Sequence, residues 1–242
     1  MKMNKLSFIT ILILICQNAS ASEPKDNEAT SVKLNDNIIY FSGTLTKEAI
    51  DKTIQIYNKQ KTKPTKIVIS SDGGDIDLGM DFGEWVFNNH LDIQVNDYCL
   101  SSCANYIFPA AKNKLLGERA IVGYHGGASS QSFDLSDINE MYKDLPDSEQ
   151  MKKKQEAIEG MKTYLDRVRE KESKFYKRIN IPQEISTLGQ QGKYSKKSES
   201  FIGWTYTPDG FMKLGLKNII LTDNKWELTK YKGKPLFIVD VN

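Results

Sequence analysis

Hydrophobic positions along this chain change period several times, and each change marks an element. "NIIYFSG" (37–43) is a short β-type run closed by Gly43. In "TKEAIDKTIQIYNKQ" (46–60) apolar residues recur at helical spacing, at Ala49, Ile50, Ile54, Ile56 and Tyr57, and Thr46 stands where an N-cap belongs. Lys63-Pro64 marks a turn, and "KIVIS" (66–70) has the character of a buried strand. "SDGGD" (71–75) then breaks the chain and opens a second helix. Leu78, Phe82, Trp85, Val86 and Asn89 share one face of it, with Gly79 and Gly83 open to close approach by a neighbour. "DIQV" (92–95) is a strand, residues 104–111 a short apolar helix, and "AIVGYH" (120–125) a further strand. This alternation predicts βαβ units and a parallel sheet.

The second half is patterned differently. Residues 134–180 are densely charged and helical in character, broken at Pro146, with one thin apolar stripe through Ile158, Met161, Leu165, Val168 and Phe175. They predict one or two long helices forming an arm that protrudes or pairs with a partner. "TPDGFMKLGL" (207–216) predicts a short capped helix, "NIIL" (218–221) a strand, and "WELTKYKGKPLFIVDV" (226–241) a terminal hairpin turning at Lys232–Lys234.

The N-terminus predicts export. Lys2 and Lys5 precede the apolar run Leu6–Ile15, and Ala19-Ser20-Ala21 offers a small-residue cleavage pattern. That run falls short of the ~20 residues a membrane span needs. Cys16 follows a bulky Ile15, which argues against a lipid anchor at that cysteine. Cleavage near Ala21 makes 1–21 a signal peptide, leaves 22–34 as a polar disordered leader, and gives 35–242 as one domain in a periplasmic or secreted protein. The whole chain holds 33 basic and 31 acidic residues, two of the lysines lying in the signal. A nearly neutral mature chain excludes a polybasic nucleic-acid or membrane binder. Cys99 and Cys103 remain as an even pair in an oxidising compartment, where a disulfide is the default. Zinc would need both cysteines and both histidines, His90 and His125.

Chemistry gathers where strands end, the usual place for ligand sites in open α/β sheets. Gly73-Gly74 ends the "KIVIS" strand, Ser101-Ser102 follows "DIQV", and His125 ends "AIVGY". A backbone amide donor, a hydroxyl and an imidazole on one rim are the parts of acyl transfer through a nucleophilic serine. The residues alone leave the choice between Ser101 and Ser102 open. Each feature also has a bland counterpart: a tight turn, a helix cap, a structural histidine.

Four segments in order, "SSDGGDIDLG" (70–79), "CLSSCANYIFPAA" (99–111), "RAIVGYHGG" (119–127) and "TPDGFMKLGLKNII" (207–220), resemble the Clp protease proteolytic subunit and its secreted relatives in the ClpP/crotonase superfamily. The resemblance runs from about Ile38 to Leu221. It implies an α/β fold, a ClpP/crotonase-like spiral of ββα units with a mostly parallel sheet, here carrying the charged helical arm and the C-terminal hairpin. It further implies Ser101 as nucleophile, His125 as general base, and the amides of Gly74 and Ser102 as oxyanion donors. A Cys99–Cys103 disulfide would brace the turn that presents Ser101, and the arm would serve self-association. The expected activity is peptide-bond hydrolysis on peptides or unfolded protein segments. No cofactor, metal or nucleic acid is expected, and outside the cytoplasm no ATPase partner.

One element of the family pattern is missing. An aspartate belongs a few residues before the closing helix, and this chain has "FIGWTY" there, with Gly203 at about that place. Glu199 and Asp209 are the nearest carboxylates, and Asp209 suits the first turn of the following helix. The site is therefore expected as a Ser–His dyad, as a triad recruiting Glu199, or as an impaired site on a binding or assembly protein. Acyl-CoA chemistry of the crotonase type shares the fold but not the expected compartment.

Overall fold

The computed structural model describes residues 30–132, 134–197 and 200–241. The expected signal peptide 1–21, residues 22–29 of the expected leader, and Glu199 lie outside the described residues.

The chain forms two units. The larger comprises 30–131 and 165–241, and in it strand and helix alternate as the pattern predicts. β1 (Ser31–Asn35) pairs antiparallel with β2 (Ile38–Ser42), so leader residues 31–34 are a strand, correcting the expectation of disorder. Asp36 and Asn37, both in left-handed conformation, make the two-residue turn that closes this hairpin. Helix α1 (Lys47–Lys59) starts at Thr46, whose side chain accepts the Ala49 amide. β3 (Lys66–Ser71) and helix α2 (Ile76–Asn88) follow, α2 capped by Asp75 on the Leu78 amide. β4 (Asp92–Leu100) runs five residues beyond the expected "DIQV", up to the serine pair.

A π-helical turn, Cys103–Ile107, leads into an α-helical turn, Phe108–Ala110; together they are α3. Then come β5 (Lys114–Leu116), β6 (Ile121–Gly123), helix α6 (Pro208–Lys213) and β8 (Ile219–Leu221). The sheet order is β1-β2-β3-β4-β5-β8, and every pair after the first is parallel. β5 lies beside the first half of β4, and β6 beside its last three residues. The core face carries the rows Ile39–Ile67–Ile93 and Phe41–Ile69–Val95, all essentially without exposed surface. Gly79 and Gly83 of α2 admit α3: a Cβ on either would lie within 3 Å of Tyr106 atoms.

The smaller unit is residues 132–164, with helix α4 (Leu135–Met141) and the first part of helix α5 (Asp147–Ile179). The expected arm 134–180 is thus shorter. From Leu165 onward α5 belongs to the larger unit, because Leu165, Val168, Glu172, Phe175, Tyr176 and Ile179 are buried there.

The C-terminal hairpin is also corrected. Lys232 and Gly233 make a tight two-residue turn between Tyr231 and Lys234, both central residues at positive φ. No ladder extends from it among the described residues. Instead β9 (Phe237–Ile238) pairs in parallel with β7 (Trp204–Thr205), where Phe237 stacks among Tyr194, Phe201 and Trp204.

Candidate active site

Three chain segments end side by side because of strand register. Ser71 pairs with Cys99 two residues before Gly73 and Ser101, and Leu100 pairs with Gly123 two residues before His125. Ser101 leaves β4 at φ 54°, a left-handed conformation rare for a residue with a Cβ. Its amide donates to the Gly123 carbonyl (2.9 Å) and its carbonyl accepts the Asn105 amide (2.8 Å), so the elbow is tied to β6 on one side and to α3 on the other. Cys99 and Cys103, both fully buried, are joined by a disulfide across this turn, with Cα atoms 5.2 Å apart. A disulfide pair cannot ligate zinc, so that alternative is gone.

The glycine loop is shaped to the elbow. Gly73 has φ 95°, and a Cβ there would lie 2.7 Å from both the Leu100 carbonyl oxygen and the Ser101 Cβ. Gly73 O accepts the Leu45 amide (2.8 Å), fixing the loop to the segment before α1. Ser102 is 2 % exposed and its hydroxyl donates to Gly74 O (2.8 Å). Ser101 is half-buried at the rim. The two adjacent serines thus differ: the hydroxyl of one is committed to the loop, while the other stands at the strained turn.

His125 keeps more than a third of its surface exposed, yet the walls around its ring exclude enough water to hold the imidazole below the ordinary histidine pKa. A contact between the ring and its own carbonyl opposes that shift weakly. No hydrogen bond joins His125 to Ser101 Oγ among the described residues. Gln190 Nε2 donates to the His125 carbonyl (3.2 Å), and Asn105 Nδ2 to the next carbonyl, Gly126 O (2.8 Å).

The acid position is filled by backbone. Gly203 lies directly on this strand end: a Cβ there would be 2.1 Å from Tyr124 O and 3.5 Å from His125 Cβ. Tyr124 and Trp204 exchange both backbone hydrogen bonds at 2.8 Å, which presses the two segments together. No side chain fits at 203. Asp209 sits in the first turn of α6 behind the Thr207 cap, facing a cleft it shares with Lys193, Lys213 and Asp240 rather than His125.

Two residues at this site escaped the sequence reading. Asn105 was signalled by being the one strongly polar residue inside "CANYIFPAA", and its Oδ1 is buried without a partner. Glu172 was signalled by lying on the apolar stripe of α5, four residues from both Val168 and Tyr176.

No family model and no curated protein matches the chain. Among solved structures it is similar to the ClpP protease catalytic domain from Plasmodium falciparum, at 21% identity and TM-score 0.28 over 35% of this chain and 52% of that one. It is also similar to a methylmalonyl CoA decarboxylase, at 10% identity and TM-score 0.31 over 40% and 48% of the two chains. An enoyl-CoA hydratase from Mycobacterium avium subsp. paratuberculosis gives 12% and 0.31, over 40% and 50%. The chain spans about half the length of each.

Proposed function

We propose that this chain is an exported serine peptidase working through a Ser101–His125 dyad. The observation that carries the reading is the left-handed elbow at Ser101, bridged by a disulfide, packed on the glycine loop and paired beside the strand that leads to His125. Strain of this kind costs about 1–3 kcal/mol and persists where the surroundings over-determine it, which is typical of sites that present a nucleophile.

The chemistry runs as acyl transfer. Ser101 Oγ attacks the scissile carbonyl carbon while His125 takes the hydroxyl proton. The amides of Gly74 and Ser102 stabilise the oxyanion. As the C–N bond breaks, the imidazolium returns the proton to the leaving amine. Water, deprotonated by His125, then attacks the acyl carbon, the C–Oγ bond breaks, the imidazolium returns its proton to Ser101 Oγ, and the acyl group leaves as a carboxylic acid. The depressed imidazole pKa supports the base role, since the ring is neutral at neutral pH. The spent hydroxyl of Ser102 supports Ser101 as the attacking group. Peptides or unfolded segments are the proposed substrates, and Leu135, Met141 and Met151, exposed on the arm, support self-association through it. Export rests on the N-terminal pattern.

A second reading is favoured by the filled acid position: a binding or assembly protein that keeps the fold without turnover. Fluorophosphonate labelling of the purified mature chain separates the two. Stoichiometric labelling that is lost in Ser101→Ala, kept in Ser102→Ala and slowed in His125→Ala is expected. A folded wild type that takes no label overturns the peptidase and leaves the binding protein.

A further inference from the structure

Glu172 has no exposed surface, and its four partners are all neutral donors. Oε1 accepts from the Tyr106 hydroxyl (2.7 Å) and the Ala128 amide (2.9 Å); Oε2 accepts from the Ser129 amide (2.9 Å) and Gln183 Nε2 (2.8 Å). Four donors on two oxygens use the group as a carboxylate acceptor throughout. Three of those donors come from the two halves of the site, and Gln183 from the turn that follows α5. Tyr106 lies on α3, five residues beyond Ser101, and Ala128 and Ser129 lie on the loop that begins at His125. Gly127 lets that loop close on the carboxylate, since a Cβ there would sit 2.5 Å from Oε1. One turn along α5, the Tyr176 hydroxyl donates to Asn105 O (2.8 Å), whose side chain in turn holds Gly126 O.

A buried carboxylate costs several kcal/mol to desolvate even when fully hydrogen-bonded, and an apolar side chain packs a helix against a loop without that cost. What the carboxylate adds is direction: four donors must point at it at once. We propose that Glu172 is the positioning residue of this site, setting the His125 loop against the Ser101 helix from behind. On this view it replaces, at one remove, the orienting acid that Gly203 excludes. The catalytic consequence rests on the Ser101–His125 reading; the positioning of His125 does not.

The chain has two histidines, His90 and His125, so both imidazoles can be followed by NMR in histidine-labelled mature protein. The test titrates them in wild type and Glu172→Gln, and measures fluorophosphonate labelling of both proteins with and without His125→Ala. Glu172→Gln is expected to displace the His125 ring resonances along the titration, with those of His90 unmoved. Labelling should slow by about tenfold to a hundredfold, as misplacement of a catalytic group by about 1 Å does. In the His125→Ala background the same change should alter labelling by less than about twofold, because the interaction it removes is already gone. An unmoved His125 resonance, or equal slowing in both backgrounds, overturns the proposal and makes Glu172 a general scaffold residue. If wild type takes no label, the peptidase reading fails and the titration alone decides the positioning. Should Glu172→Gln not fold, Gln183→Leu removes one donor at a half-exposed position and is judged by the same shift of His125.

Discussion

The two halves of the candidate site are held in opposite ways. The Ser101 elbow is braced close at hand by a disulfide between residues four apart and by a π-helical turn, with a glycine loop from β3 fitted to the Ser101 Cβ. The His125 loop has one local brace, the Ser130 hydroxyl on both backbone groups of Gly127. It is held by Gln190 at the His125 carbonyl, Asn105 at Gly126, and Glu172 at Ala128 and Ser129, with Gly203 packed beneath. The candidate nucleophile therefore has a covalent brace of its own, whereas the candidate base depends mainly on segments 20 to 78 residues away. The first arrangement resists perturbation elsewhere in the fold. The second makes the histidine side the point at which activity can be tuned or lost.

The largest effect that would break this contrast comes from Gly203→Asp. An acid introduced at 203, where the sequence resemblance expects one, should not complete a triad, because its Cβ would collide with Tyr124 O. A loss of about 3–5 kcal/mol in urea unfolding is expected, as for severe overpacking of a buried strand contact. A normally stable variant that labels faster would show an open slot beside His125. Cys99→Ser with Cys103→Ser comes next. Opening so small a ring costs about 2 kcal/mol by chain entropy, and labelling should slow severalfold as the elbow loosens. The His125 titration should stay put; if it moves with the disulfide, the two halves are not separately held.

The smallest and most diagnostic effect is that of pH. The folded His125 value lies below the ordinary 6.5, with desolvation the main cause. With neutral imidazole as the proposed base, labelling should be flat at neutral pH and lost as pH falls through a midpoint below 6.5. The sign for stability agrees: with the folded value depressed, the unfolded chain binds the proton better, and stability declines as pH drops below the unfolded value. A labelling midpoint at 6.5 would put the ring in bulk water, and one above it would require an anionic partner for the imidazolium; either removes the desolvated setting argued for the base.

How much of this was legible depends on sequence distance. Thr46 as a cap, the α1 stripe, the glycines that admit α3, and the Cys99–Cys103 bridge were all visible, because each is decided by residues within one or two turns. β5 was missed: "KLL" is too short to show a period, and Lys114 is carried into the sheet by partners on both sides, Ile93 and Ile219. The C-terminal hairpin was misjudged because its turn is local, while the partner of β9 is β7, more than thirty residues upstream. Expected disorder failed at residues 31–34 for a similar reason. Ser31–Leu34 gain a strand by edge pairing with β2, which so short a run of mixed polar and apolar residues does not announce.

By itself, then, the sequence determined the alternation of strand and helix, the serine turn with its cysteines, and the list of groups that could do chemistry. Backbone preference and side-chain period act over a few residues, so these are written locally. Only the tertiary structure decided that Ser102 is committed to Gly74, that Gly203 excludes an acid, and that a buried carboxylate on α5 holds the histidine loop. Those outcomes follow from strand register and from which hydrogen-bond donors burial forces together, and no spacing along the chain encodes either.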